Sequence, residues 1–166
     1  AGKISQIGDE LYAKSEILAA VAVYESLGEQ SLREAVKSLN LMPPYAVIAL
    51  AKREQKVEIF ADSATLKLFD KERILSPFPE RGTILPILTS KNGKDVYNAA
   101  ILNGYADLTE QIAASLGVKL ESAIGDANKT ALNALRAAVY GSIILVFAVM
   151  IYKKARRQNK LKVKNG

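Results

Sequence analysis

The 166-residue chain carries 23 Lys and Arg against 17 Asp and Glu, a net charge of +6, and contains no Cys, His or Trp. Without Cys it forms no disulfide, offers no thiol nucleophile and cannot hold a Cys-ligated zinc or iron–sulfur centre. Without His it lacks Ser-His-Asp machinery, the common His-based metal sites and the usual switch near neutral pH.

The elements are predicted in chain order. Lys3 to Leu39 reads as helical: Ile4, Ile7 and Leu11 recur at three and four, and Ile17, Leu18, Val21, Tyr24 and Leu27 continue an apolar face up to Gly28. Ser31 and Glu34 have capping-box spacing and open a second short helix with Leu32, Val36 and Leu39 inward. Pro43-Pro44 stops the chain and offers Pro44 as the first residue of the next piece. Tyr45 to Lys52 fits a short helix or a buried strand, with helix preferred.

From Val57 the pattern changes. VEIFAD and ATLKLFD read as two short strands meeting near Asp62-Ser63, and residues 76–82 are a turn-rich connector. Thr83 to Thr89 is a third strand candidate, set at an edge or a bulge because Pro86 lacks an amide donor. Asn92-Gly93 is a turn. Asp95 starts a helix through Leu102 that ends near Gly104, and Asp107 to Glu110 starts another that Gly117 ends. Residues 122–130 form a link. The fold class is therefore α+β: a helical N-terminal part, a small sheet of about three strands, then further helices.

The C-terminal part differs. Ala137 to Tyr152 (AAVYGSIILVFAVMIY) is free of charge and Pro. These residues would span roughly 24 Å as a helix. A membrane crossing needs about 20 residues. Extension back to Ala131 supplies the length and places Arg136 one turn inside, where its stem can snorkel to the headgroups. Tyr140 and Tyr152 bracket the segment as interfacial aromatics do. The division expected is a compact α+β body over 1–130, a transmembrane helix over 131–152 and a basic tail over 153–166.

Charge follows this division. Residues 153–166 hold seven bases and no acid, +7, so residues 1–152 carry −1. Lys153, Lys154, Arg156 and Arg157 follow the apolar run directly, a stop-transfer pattern that would fix topology and touch anionic headgroups. The positive-inside rule puts the tail on the stromal, cytoplasmic or matrix side and the body on the lumenal or periplasmic side. The beginning at Ala1-Gly2-Lys3, without Met, is what removal of a targeting peptide would leave. Nucleic acid is not expected as a partner, because the excess bases lie on one tail that has no aromatic after Tyr152 on which a base could stack.

Catalytic patterns are not found. Neither GxxxxGK[ST] nor GxGxxG occurs, and no EF-hand loop is visible. The neighbouring carboxylates Asp9/Glu10 and Asp70/Glu72 read as solvated surface or turns. Asn128-Lys129-Thr130 fits the glycosylation pattern as a chance match beside the membrane. Ala137, Ala138, Gly141 and Ser142 align small residues on one helix face, where a neighbouring helix can approach closely. A chlorophyll or carotenoid would fit the same gap, although no motif selects one, and no cofactor is required.

This layout, a processed start, a compact body, one apolar helix and a basic tail, resembles the single-pass accessory subunits of thylakoid photosystem supercomplexes. The resemblance lies in layout and transfers no functional residue. It implies a non-enzymatic subunit that stabilises or links a photosystem–antenna complex through integral membrane subunits and lipids. A membrane-tethered lumenal or periplasmic binding or chaperone domain is the alternative, followed by a mitochondrial inner-membrane subunit.

Overall fold

The computed structural model describes residues 2–89, 95–123, 144–147 and 149–153. Backbone contacts divide the chain into two units, Ala1–Gly125 and Asp126–Gly166.

The first unit is α+β. Helix α1 (Gly2–Ser15) buries Ile7 and Leu11. It ends where Ser15 Oγ donates to the Leu11 carbonyl at 2.7 Å and accepts from the Ile17 amide at 3.2 Å. Glu16 then turns left-handed at φ 61. The chain continues not as helix but as strand β1 (Leu18–Tyr24). Its apolar residues do satisfy helical spacing. LAAVAVY, however, is an uncharged run without alternation, and periodicity alone does not separate a strand of that kind from a buried helix.

Helix α2 (Leu32–Lys37) begins as its sequence dictates. The Glu34 amide donates to Ser31 Oγ at 3.2 Å, and the Ser31 amide donates to Glu34 Oε2 at 2.8 Å, so two orphan donors are satisfied reciprocally. Pro44 does not start a helix: it leads into strand β2 (Tyr45–Ala51), where a helix was preferred. The strand wins because residues 46–51 are all buried, and a central strand covered on both faces reads as one continuous apolar run. Strand β3 (Lys56–Ala61) follows through a tight turn with Gln55 at φ 51.

The sheet has the order β1-β2-β3. β1 and β2 run parallel, Leu18 opposite Tyr45 through Tyr24 opposite Ala51, and α2 lies in the crossover. β2 and β3 are antiparallel, Ala46 opposite Ala61 through Ala51 opposite Lys56. Three strands are thus present, but two of them come from segments expected to be helical or left open. ATLKLFD instead forms a 3-10 turn (Thr65–Leu68) and the start of helix α3 (Lys71–Ile74), which the Asp70 carboxylate caps by accepting from the Arg73 amide at 2.9 Å. TILPILT forms helix α4 (Leu85–Leu88), with Pro86 in its first turn, where a missing amide costs nothing.

Helix α5 (Val96–Ser115) is one helix where two were expected. Asp95 caps it through the Asn98 amide at 3.2 Å, and Gly117 follows its end at φ 68. Gly104 does not interrupt it. It provides clearance: a Cβ there would lie 2.3 Å from Cγ1 of the fully buried Ile84. The sequence marks Gly104 as a breaker only because a glycine kept for close packing looks the same as one kept for a turn.

The two faces of the sheet are unequal. Side chains alternate along β2, so Ala46, Ile48 and Leu50 face one way and Ala49 and Ala51 the other. On the first face α1 and α5 pack Ile7, Leu11, Tyr105, Leu108 and Ile112 against the sheet, all at most 1% exposed. On the second face, among the described residues, Leu32 and Val36 of α2 cover it, with Tyr24, Leu27 and Phe60 half-buried around them. Each fully buried Leu or Ile contributes about 1.5–3 kcal/mol by leaving water, so the first face carries most of the stability.

In the second unit, residues 144–147 and 149–153 are helical. Among the described residues no helix is long and apolar enough to cross a membrane. Most of the expected span over 131–152 lies outside them.

Candidate interaction surfaces

The expected small-residue face, Ala137, Ala138, Gly141 and Ser142, lies outside the described residues, as do Lys154, Arg156 and Arg157. Lys153 closes the described helical segment and is exposed. The eight apolar residues before it, Ile144 to Phe147 and Val149 to Tyr152, are 43–69% exposed. Four consecutive exposed residues cover more than one helical turn. The segment therefore presents apolar side chains in every direction and has no polar face.

In the first unit the carboxyl ends of the parallel strands are the natural place to look for a ligand crevice. Here that end is occupied by side chains bonded to one another. Lys52 Nζ meets Glu25 Oε1 at 2.6 Å and lies 5.8 Å from the centre of the Tyr97 ring. The Glu25 carboxylate holds the Lys52 ammonium above its ordinary range. Glu54 Oε1 accepts from the Leu27 amide at 3.0 Å and Ser26 Oγ at 2.9 Å, and the Leu27 amide holds its carboxyl below the usual range. These bonds tie the loop after β1 to the β2–β3 turn. Among the described residues no group of three or more His, Cys, Asp or Glu side chains stands ready for a metal ion.

Two carboxylates act as clasps. Glu10 was read as solvated surface. Instead it accepts from Lys14 Nζ at 2.6 Å, from the amides of Glu121 and Ser122 at 2.7 and 2.8 Å, and from the Ser122 hydroxyl. The Lys14 ammonium and then the Ser122 hydroxyl hold its carboxyl at about 2. Lys14 Nζ also donates to the Lys119 carbonyl at 2.7 Å. Asp62 accepts from the amides of Tyr45, Ala64 and Thr65 at 2.9–3.1 Å. Burial pushes its carboxyl up, but these amides outweigh that and hold it at about 2. Asp70, another of the carboxylates read as surface or turn, is exposed and caps α3.

Two of the clefts among the described residues of the first unit lie beside the Thr65–Leu68 turn and beside β3. One, of about 720 Å³, runs between residues 66–72 and the last turn of α5. Its polar groups are joined across it, with the Asp70 amide on Gln111 Oε1 at 2.8 Å and Ser115 Oγ on the Leu68 carbonyl at 2.6 Å. The other, of about 430 Å³, lies along β3. Leu32 and Arg33 of α2 approach it from one face of the sheet, Leu75 and Leu85 from the other, and Lys56, Val57 and Phe60 come from the strand itself. Sequence reasoning missed this cleft: its walls come from segments more than fifty residues apart, and no local pattern joins them.

Comparison with protein families, curated proteins and solved structures finds no match to this chain.

Proposed function

We propose that this chain is a single-pass accessory subunit. Its α+β body is held beside a membrane by the apolar C-terminal helix, and it stabilises or links a membrane protein complex of the photosystem–antenna kind. The observation that carries the reading is the helical residues 144–147 and 149–153, with eight large apolar side chains 43–69% exposed, ending at Lys153, the first base of the +7 tail. In water such a surface would drive aggregation. In hydrocarbon it has no cost, and the basic flank orients it. Lys153, Lys154, Arg156 and Arg157 then sit among anionic headgroups, and Ala137, Ala138, Gly141 and Ser142 form the face on which a neighbouring helix docks. Chlorophyll or carotenoid would enter only as a passenger in that helix contact.

Carbonate extraction of membranes expressing the full chain tests the tether. The protein should remain with the bilayer, and a chain lacking residues 131–166 should be released. Recovery of the full chain in the soluble fraction would end the proposal. Native electrophoresis of the detergent-solubilised protein tests the subunit role. A fixed place in a large assembly supports it, and a monomer that binds a ligand reversibly favours the tethered binding domain instead.

A further inference from the structure

The cleft along β3 combines three features that together describe an occupant. The first is a sheet edge with no fourth strand paired to it among the described residues, half-buried at Val57 and Ala61 and covered at Ile59, which is 1% exposed. In an antiparallel pair, residues alternate between those bonded to the neighbour strand and those facing away. The Asp62 amide donates to the Tyr45 carbonyl at 3.3 Å, so Phe60, Glu58 and Lys56 face β2, while Val57, Ile59 and Ala61 turn their amides and carbonyls to the free edge. The Ile59 amide confirms this: it is bonded by the neighbouring Glu58 Oε1 at 3.3 Å rather than by β2. Half-buried Val57 presents its amide and carbonyl at the floor of the cleft.

The second feature is an apolar lining of Leu32, Val57, Phe60, Leu75 and Leu85, from both faces of the sheet. The third is the charge on the rim. Arg33 is exposed and lies 5.5 Å from the centre of the Phe60 ring, a contact that leaves its guanidinium edge free for an acid. Lys56 is exposed and has no carboxylate within salt-bridge distance among the described residues. The one acid lining the cleft, Glu58, is already engaged by Lys71 and by the Ile59 amide. The cleft therefore holds two uncommitted cations and no uncommitted anion.

We propose that this cleft binds an extended peptide segment of a partner protein in which acidic and apolar residues alternate, added as a fourth strand at the β3 edge. Alternation follows from the period of a strand: side chains on one side reach Leu75 and Leu85, and those on the other reach Arg33 and Lys56 beside Leu32 and Phe60. The segment would pair first with half-buried Val57, and it would reach the buried Ile59 amide only by displacing the Glu58 carboxylate bonded to it. The inference deepens the reading of the body as a linking subunit by naming the surface with which it holds a partner, and it does not depend on the membrane helix.

Fluorescence anisotropy on the full chain in detergent provides the test, with a short labelled peptide alternating glutamate and valine as the probe. It should bind saturably at low ionic strength and weaken as salt rises. The same peptide with lysine for glutamate should not bind. The double variant Arg33→Glu with Lys56→Glu should lose about tenfold or more in affinity, with an unchanged circular dichroism spectrum. If that variant unfolds, the single Lys56→Glu, on an exposed strand end, keeps the test open. Absent saturable binding, or binding indifferent to these changes, overturns the proposal. So does ATP binding that the same variants abolish while the peptide fails to bind, since the cleft would then be a simple anion site. Carbonate extraction reads the tether separately, so either proposal can fail alone.

Discussion

The two faces of the three-stranded sheet solve the same covering problem with very different amounts of protein. One is packed under α1 and the twenty residues of α5, with Ile7, Leu11, Tyr105, Leu108 and Ile112 excluded from water. The other is covered by the six residues of α2, which contribute Leu32 and Val36 and leave Phe60 half-buried. The thick face holds the fold together. The thin face leaves Phe60 at the margin of β3 half-buried, and the cleft lies along that margin, between walls from both faces.

The largest test of this contrast is Leu108→Ala, which empties a site with no exposure and should cost about 2–5 kcal/mol in chemical denaturation. Gly104→Ala follows. The added methyl would press on Ile84, and overpacking of about 1–3 kcal/mol should exceed the gain in helix propensity of about 1 kcal/mol. On the thin face, Val36→Ala removes two buried methyl groups and should cost about 1.5 kcal/mol. Ser31→Ala breaks the capping box and should cost about 1 kcal/mol. If the α2 substitutions proved as damaging as Leu108→Ala, the division between the faces would be wrong.

The smallest expected effect is a dependence on pH. The Glu10 carboxyl is held at about 2, below its ordinary 4.5. A depressed acid stabilises the fold fully above its unfolded value, and that contribution fades as pH falls through the range from about 4.5 to about 2. Glu10→Gln should therefore flatten part of the acid limb of stability between those values while lowering stability at neutral pH. Asp62 contributes in the same direction, its share fading as pH falls from about 3.8 to about 2. An acid limb identical in wild type and Glu10→Gln would show that the clasp adds nothing to the fold.

What the sequence discloses divides along physical lines. Termini with local chemistry are legible: the Ser31–Glu34 box, the Asp95 cap and the turn at Gly117 each announce themselves within a few residues. β3 is legible because its residues are bounded by turns and mix polar with apolar. β1 and β2 are not, because a strand buried on both faces or made largely of Ala and Val has no period to read, and only pairing across the crossover decides its state. The double break of α5 is a further misreading, as Gly104 and Asp107 mimic an end and a start, yet inside the helix one clears Ile84 and the other accepts from Thr83 Oγ1 at 2.9 Å. The cleft is the least legible feature of all. Arg33, Lys56 and Leu85 become neighbours only after the sheet forms, whereas the apolar C-terminal helix and its basic flank are contiguous and visible at once.

The Glu10 clasp also has a mechanical side. Glu10 and Lys14, one turn apart on α1, grip the Lys119 carbonyl, the Glu121 and Ser122 amides and the Ser122 hydroxyl, immediately after the point where α5 has ended. Tension entering the first unit from its C-terminal side thus meets a row of short bonds to the first helix before it can unwind the last turn of α5. Those bonds share the load instead of parting one by one. A pull on the chain beyond Ser122 is thus passed to α1 before it reaches the last turn of α5.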